Sequence, residues 1–248
     1  MNESLNTQLL QCDDLVFGYK REKSADAVGL VTSVNFELNA GEVVALLGEN
    51  GSGKSTFLKT LCGLLQPVSG SVFLLGKSQW TARERAKFIT LVRMGGAPCD
   101  RMTVREFVSL GRMPYAGLFD GRSQEDERII DEALALLEIE KFTGRRLTEL
   151  SDGERSRVYL AQAVAQQVKV LLLDEPNAFM DIPRSRKLFT LLQKLAKERG
   201  MGILVSTHSV EYAEKYCDRI MVIADQQVRC AAANEARAQG LLRWTEVI

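Results

Sequence analysis

The chain has 248 residues, 46% hydrophobic and 26% charged, which is the composition of an ordinary globular protein with one substantial core. Its formal net charge is zero and it has no long basic run, which argues against nucleic acid or anionic lipid as its main partner. It has no stretch of about 18 apolar residues, so the sequence predicts no membrane-spanning helix.

The cysteines and the first residues indicate the compartment. The five cysteines are scattered and have no C-x-x-C spacing, which favours reduced thiols in a cytosolic protein over a disulfide framework or a zinc site. The N-terminal residues Met1–Asn6 lack a basic segment followed by an apolar one, so no secretion signal is predicted.

The first third of the chain is rich in predicted strands. Leu15–Phe17 and the alternation of Val34, Phe36 and Leu38 favour half-buried strands. The apolar stretch Glu42–Leu47 predicts a further strand, which runs directly into a glycine-rich segment.

That segment, Gly48–Thr56, fits G-x-x-x-x-G-K-[ST], the pattern of a loop whose backbone N–H groups surround a triphosphate. In this pattern Lys54 reaches the β- and γ-phosphates and the Ser55 hydroxyl reaches Mg²⁺. Ser55–Cys62 is predicted to be a helix whose positive N-terminus faces the phosphates. The motif predicts nucleotide binding but does not say what the nucleotide is used for. The residues predicted to bind it are Gly48, Asn50, Gly51, Ser52, Gly53, Lys54, Ser55 and Thr56.

The rest of the chain predicts helices followed by strands and helices in alternation. Residues 129–137 carry apolar residues at helical spacing. Lys169–Leu173 and Gly202–Val205 are typical of buried strands, and Arg184–Arg199 predicts the helix between them. We therefore predict an α/β fold with a mainly parallel sheet that carries the phosphate loop, and a helical lobe inserted at about residues 95–165.

A hydrophobic strand ends on two adjacent carboxylates, in the run Leu173–Pro176. In phosphate-loop proteins the first acid, here Asp174, holds Mg²⁺, and a second, here Glu175, polarises the attacking water. The alternative is an acidic turn without chemistry, but the phosphate loop upstream favours the chemical role.

Three further features have both a structural and a functional interpretation. Ser151-x-x-Glu154 is a capping box, and the same helix start, with Gly153 beside it, is also an anion site able to close over a γ-phosphate from another subunit. His208, the only histidine, follows a buried strand about 33 residues after Glu175, where side chains of a parallel sheet point into the ligand crevice. Tyr19 either stacks on adenine or simply ends a strand.

The phosphate loop, Leu150–Glu154, Leu173–Pro176 and Thr207–His208 stand in an order and spacing that resemble the ATP-binding subunits of ABC transporters. The resemblance extends from about Leu10 to Ala224. The stretch Thr103–Tyr115 is similar to the subgroup that powers uptake of iron–siderophores, haem and cobalamin.

The resemblance implies a homodimer that sandwiches two ATP molecules and Mg²⁺. Ser151 and Gly153 of one copy would cover the γ-phosphate held by the other copy's phosphate loop. Glu175 would be the general base, His208 would steady the γ-phosphate, and Asp181 would lie in the loop that links the two sites. Polytopic membrane permease subunits are implied as partners, with a substrate-binding protein acting indirectly and no nucleic acid, and the chain would be peripheral on the cytoplasmic face of the cell membrane.

The resemblance also implies a single domain over residues 1–248. The nucleotide-binding core, with an N-terminal antiparallel β subdomain, would consist of about residues 1–94 and 166–248. The helical subdomain would consist of about residues 95–165. Two alternatives stay open: a soluble ABC-type ATPase with an assembly or regulatory role and no transporter, and a nucleotide-binding regulator that hydrolyses ATP slowly or not at all.

The chain departs from the family pattern in three places. Met94 stands where the family usually has a glutamine that reaches Mg²⁺ and senses the membrane partner. A thioether is a poor Mg²⁺ ligand, so we hypothesise that water completes the metal shell. We further hypothesise that packing of residues 93–102 couples the site to the membrane partner. Asp152 and Glu154 replace a usual glycine and glutamine. The tail segment Ala231–Gln239 predicts a helix in place of a glycine-containing stretch.

Overall fold

The computed structural model describes residues 8–20, 27–94, 101–117, 121–178 and 180–242, with the backbone alone at residues 19, 20, 27 and 28. The strands in these residues are β1 (Gln8–Val16), β2 (Gly18–Lys20), β3 (Ala27–Gly29), β4 (Val34–Asn39), β5 (Val43–Gly48), β6 (Ser69–Leu74), β7 (Ile89–Arg93), β8 (Val170–Asp174), β9 (Gly202–Ser206), β10 (Arg219–Ala224) and β11 (Gln227–Ala232). The α-helices are α1 (Lys54–Cys62), α2 (Ala82–Ala86), α3 (Val104–Ser109), α4 (Gln124–Leu136), α5 (Asp152–Ala165), α6 (Ile182–Arg199) and α7 (Val210–Tyr216).

Two larger sheets organise the fold. The six-stranded sheet has the order β11-β10-β5-β9-β8-β7, and all its neighbouring strands are parallel except β11, which pairs antiparallel with β10. The three-stranded sheet, β4-β1-β6, is antiparallel. The predicted α/β fold, with its mainly parallel sheet and N-terminal antiparallel sheet, is confirmed.

The parallel sheet separates two hydrophobic cores. Along β5, Val43, Ala45 and Leu47 pack into the core that the helices α4 to α7 share, whereas Val44 and Leu46 pack into the core that contains α1 and the antiparallel sheet. Because side chains alternate between the faces of a strand, a run with every residue buried needs cover on both faces. The apolar run before the phosphate loop therefore marks the centre of the fold.

Local signals set the helix ends near the site. Asp181 caps α6, its side chain accepting from the Arg184 N–H at 2.8 Å; Pro183 lies in the first turn, and Gly200 ends the helix at φ 62°. Helix α4 starts at the capping box of Ser123 and Asp126. The predicted helix over Arg184–Arg199 is confirmed and begins two residues earlier.

The helices α3, α4 and α5 pack on one another, and α5 also contacts β7. This places Leu150–Glu154, called the signature segment below, at the start of α5 in a helical layer beside the parallel sheet. The exact boundaries near residues 94 and 166 stay a prediction, and residues 95–100 lie outside the described part.

The prediction of a helix over Ala231–Gln239 is wrong. Ala231 and Ala232 end β11, where they pair with Ile220 and Arg219, and residues 233–242 form turns. Backbone hydrogen bonds to β10 override the helix propensity of the alanines here. No helix in the described ranges is both long and apolar enough to cross a bilayer.

Candidate functional site at the carboxyl edge of the parallel sheet

The candidate site forms where three neighbouring parallel strands end. The phosphate loop follows β5, Asp174 ends β8, and Ser206 ends β9, with Asp174 and Ser206 in register. Crevices outside the carboxyl ends of parallel strands are the usual ligand sites of such sheets. The topology therefore brings the phosphate loop, the paired carboxylates and the histidine segment to one edge.

Glycines shape the phosphate loop. Gly48, Gly51 and Gly53 all have positive φ, at 152°, 83° and 103°. A Cβ on Gly48 would lie 2.6 Å from the Ile223 carbonyl oxygen, so this position excludes any side chain. The loop leads directly into α1, whose N-terminal N–H groups face the same space.

Lys54 is buried and lies across its own loop. Its Nζ donates to the carbonyl oxygens of Gly48 at 2.7 Å and Glu49 at 3.0 Å. Burial lowers the pKa of Lys54, whereas the nearby carboxylates of Glu175 and Asp174 act in the opposite direction. These two carboxylates lie close enough to affect the pKa of Lys54, so the charges of Lys54, Asp174 and Glu175 interact beside the loop.

One buried atom of the loop has an unused hydrogen-bonding capacity. The Ser52 hydroxyl oxygen is buried and has no hydrogen-bond partner among the described residues. A buried polar atom without a partner is costly in a finished structure. A phosphate group seated in the loop would supply an acceptor, so the loop fits the triphosphate that its sequence predicts. Asn50 is exposed at the tip of the loop, and Thr56 is buried in α1.

The predicted metal ligands lie side by side. The Ser55 hydroxyl donates to Asp174 Oδ1 at 3.1 Å, and the Ser206 hydroxyl donates to the same oxygen at 3.0 Å. Mg²⁺ prefers oxygen ligands, most often one or two from the protein together with substrate phosphates and water. A hydroxyl and a carboxylate next to a phosphate loop fit this requirement. Asp174 Oδ2 faces Arg93, whose Nε lies 3.4 Å away.

Glu175 is held in an unusual backbone conformation beside Asp174. Its φ is 50°, in the left-handed region, and its N–H donates to the Ser206 hydroxyl at 2.9 Å. Its carboxylate Oε1 lies 2.8 Å from His208 Nε2. Both side chains are partly exposed, at 37% and 46%, so water reaches the pair. A carboxylate and an imidazole at this distance form a general acid–base arrangement.

The signature segment forms the capping box that its sequence predicts. The Ser151 side chain accepts from the Glu154 N–H, and the Glu154 carboxylate accepts from the Ser151 N–H at 2.9 Å and from its hydroxyl at 2.8 Å. Asp152 pairs with Arg155 one turn along the helix. Gly153 lies against α6, where a Cβ would be 3.2 Å from Arg184 Cδ.

Three further residues named in the sequence analysis have positions in the fold that leave their roles untested. Tyr19 is in β2, but its side chain is outside the described ones. Asp181 is the cap of α6, five residues beyond Pro176. The Met94 side chain packs on the helical core. Their functional roles stay predictions.

Sequence reasoning missed two residues of the site, Ser206 and Arg93. Ser206 is fully buried and bridges Asp174 to the Glu175 backbone. The available signal was a polar residue closing an apolar strand, two positions before the only histidine. Arg93 had no comparable signal, because only strand register brings it beside Asp174.

Comparison with known proteins identifies the family of the chain. The ABC transporter family matches residues 31–178. The chain is 39% identical over 194 residues to the petrobactin import ATP-binding protein FpuC of Bacillus anthracis, covering 77% of this chain and 71% of that protein. It is 36% identical over 216 residues to the hemin import ATP-binding protein HmuV of Streptomyces coelicolor, covering 86% and 76%.

The fold is similar to that of a dimeric ATP-binding cassette in a post-hydrolysis state bound to ADP and Pi, with a TM-score of 0.79 and 27% identity. The similarity covers 91% of this chain and 99% of that one. With its phosphate loop, paired carboxylates and histidine at one sheet edge, the chain belongs to the ABC transporter family and is an ATP-binding ATPase of that family.

Proposed function

We propose that this chain is the subunit that energises an ABC importer by hydrolysing ATP. The observation that carries the proposal is the contact of His208 Nε2 with Glu175 Oε1 at 2.8 Å, beside the Asp174–Ser55 pair and the phosphate loop. The grouping favours a working ATPase over a nucleotide-binding regulator, because a regulator needs no base next to the metal ligands.

Each group has a definite task in this proposal. The loop amides and Lys54 bind the triphosphate, and Ser55 and Asp174 hold Mg²⁺. Mg²⁺, when bound, supplies positive charge that offsets the charge of the phosphates. Glu175 accepts a proton from the attacking water, and His208 orients the Glu175 carboxylate and contacts the γ-phosphate.

We further propose that the active state is a homodimer. In a single chain, Ser151 and Gly153 lie at the start of α5 in the helical layer. Ser151 is exposed and Gly153 is buried. The positive N-terminal end of the helix dipole favours an anion at this place. A second copy would present this helix start to the γ-phosphate, and Asp181 would join the two sites.

The test is Glu175→Gln with Mg-ATP on a sizing column, with Lys54→Ala as the control that binds no triphosphate. A dimer formed only by Glu175→Gln with nucleotide supports the proposal; a monomer under all conditions contradicts it.

Two observations support import of a metal chelate or corrinoid as the transport task. The relatives include proteins named for petrobactin and hemin import. The segment Thr103–Tyr115, which resembles the uptake subgroup, is anchored in the helical layer through Arg112, whose Nη1 donates to the Ala165 carbonyl at 2.8 Å. In this proposal the segment faces a polytopic permease at the cytoplasmic side of the cell membrane, and a substrate-binding protein acts indirectly.

The alternative is a soluble ABC-type ATPase with an assembly or regulatory role. Affinity purification of the tagged chain from detergent-solubilised native membranes separates the two functions. Co-purification of a polytopic membrane subunit, identified by mass spectrometry, supports the transporter. Soluble partners alone, from a preparation that hydrolyses ATP, would favour the alternative.

A further inference from the structure

Arg93 and Asp174 are neighbours by backbone geometry. They are register partners in the parallel pair β7–β8, and each is the last residue of its strand. The Arg93 Nε lies 3.4 Å from Asp174 Oδ2. Strand pairing thus sets the two residues side by side, and the conformation of the Arg93 side chain completes the contact.

The alternation of side chains along β7 directs Arg93 to the nucleotide side. Ile89 and Leu91 pack into the core that contains α1, whereas Val92 and Met94 pack into the core of the helical layer. Arg93 continues the series of Ile89 and Leu91. It therefore lies on the face that carries α1 and the phosphate loop, and Met94 lies on the opposite face.

The two oxygens of Asp174 have different partners. Oδ1 accepts hydrogen bonds from the hydroxyls of Ser55 and Ser206, and Oδ2 faces Arg93. The Asp174 side chain is 7% exposed and that of Arg93 is 60% exposed, so a buried negative charge is balanced by a cation that extends toward solvent. A buried carboxylate is costly without such a partner.

We propose that Arg93 is a functional part of the metal and nucleotide site, where its positive charge substitutes in part for Mg²⁺. The inference rests on the proposed ATPase function. Without Mg²⁺, the guanidinium neutralises Asp174 and limits its repulsion of a bound triphosphate. With Mg²⁺ in excess, the metal neutralises Asp174 itself and the arginine becomes dispensable for affinity.

The consequence is that nucleotide binding depends less on Mg²⁺ in the protein with Arg93 than in a variant without this charge. The relevant quantity is the ratio of the Kd measured in EDTA to the Kd measured with excess Mg²⁺. Loss of the Arg93 charge should raise the first constant and leave the second nearly unchanged. Because both constants come from the same preparation, a general loss of folded protein does not alter their ratio.

The experiment measures binding of the non-hydrolysable analogue AMP-PNP by equilibrium dialysis, with Arg93→Gln, Arg93→Lys and the unchanged protein. Arg128→Gln is the matched control, because Arg128 is an exposed arginine that pairs with Glu125 and Glu132 on α4 in the helical layer. We expect Arg93→Gln to raise the ratio about fivefold, as removal of a partly exposed ion pair predicts. Arg93→Lys and Arg128→Gln should keep the ratio of the unchanged protein.

Three results would overturn the inference. A ratio unchanged in Arg93→Gln would mean that the charge has no part in the metal site. An equal loss of affinity in EDTA and in Mg²⁺ would mean that Arg93 contacts the nucleotide or the fold directly. If the unchanged protein binds no AMP-PNP under either condition, the proposed function fails as well, which distinguishes this outcome from the first two.

Discussion

His208 Nε2 lies 2.8 Å from Glu175 Oε1, across the ends of the neighbouring strands β8 and β9. The two residues reach each other because Ser206 connects the strand ends, donating to Asp174 and accepting from the Glu175 N–H. The pair is therefore a product of the sheet edge, and in the proposed function it is the part of the site that acts on the attacking water.

Replacement of His208 by alanine should reduce ATP turnover by about 100-fold, the usual contribution of a group positioned for general acid–base chemistry. The phosphate loop and metal ligands remain, so ATP affinity should change by less than about threefold. Phosphate release and equilibrium binding measure the two effects separately. Turnover that stays near normal in His208→Ala would remove the histidine from the catalytic group.

The pairing of Asp152 with Arg155 explains how a carboxylate is tolerated in the signature segment. In Arg155→Ala the Asp152 charge loses its partner and would face a γ-phosphate across the dimer. We expect the ATP-dependent dimer of Glu175→Gln to weaken about fivefold when Arg155→Ala is added. The added change Asp152→Asn should restore it. A dimer insensitive to Arg155→Ala would place Asp152 away from the nucleotide.

Glu154→Gln should retain ATP turnover within about tenfold, because a glutamine oxygen also accepts the hydrogen bond from the Ser151 N–H. Glu154→Ala loses the capping interaction and should cost about 1 kcal/mol of stability. The hydrogen bonds from Ser151 lower the pKa of Glu154, so its contribution is present above the ordinary glutamate range and is lost as the pH falls. Thermal unfolding at several pH values, together with turnover, checks both variants. A larger loss of turnover in Glu154→Gln would assign the carboxylate a specific role.

Arg112 and Asp126 form an ion pair at 2.7 Å, in which the Arg112 side chain is buried at 7% exposed and that of Asp126 is partly buried at 17% exposed. Arg112→Ala removes the cationic partner of Asp126, which keeps its hydrogen bonds from Ser123, and should cost about 2 kcal/mol of unfolding free energy. The Arg112 guanidinium is the main cause of the lowered pKa of Asp126, so the stabilisation is present above the ordinary aspartate range and is lost as the pH falls.

Urea unfolding at neutral pH and at about pH 3 measures this effect, since the ordinary aspartate pKa of about 3.9 lies inside that interval and the stabilisation begins to be lost as the pH falls below it. In Asp126→Asn the fall in stability between the two conditions should be smaller than in the unchanged protein. Arg128→Gln, with an exposed pair, serves as the control. An equal pH dependence in Asp126→Asn and the unchanged protein would contradict the prediction.

The sequence by itself determined what depends on a few adjacent residues. The positions of Gly48 and Gly53 identify the phosphate loop, because positive φ and close backbone approach require glycine. Capping boxes and apolar periodicity similarly locate helix starts and buried strands, since these signals act within one or two turns or strands.

Only the tertiary structure decided which distant residues meet. Arg93 and Ser206 reach Asp174 through the register of parallel strands, and no local pattern encodes that register. The same reason explains the wrong helix at Ala231–Gln239: its first residues complete a strand, because hydrogen bonds to β10 stabilise them more than a short helix would. Local chemistry thus specified the phosphate loop and the carboxylates, and strand pairing specified the side chains that contact Asp174.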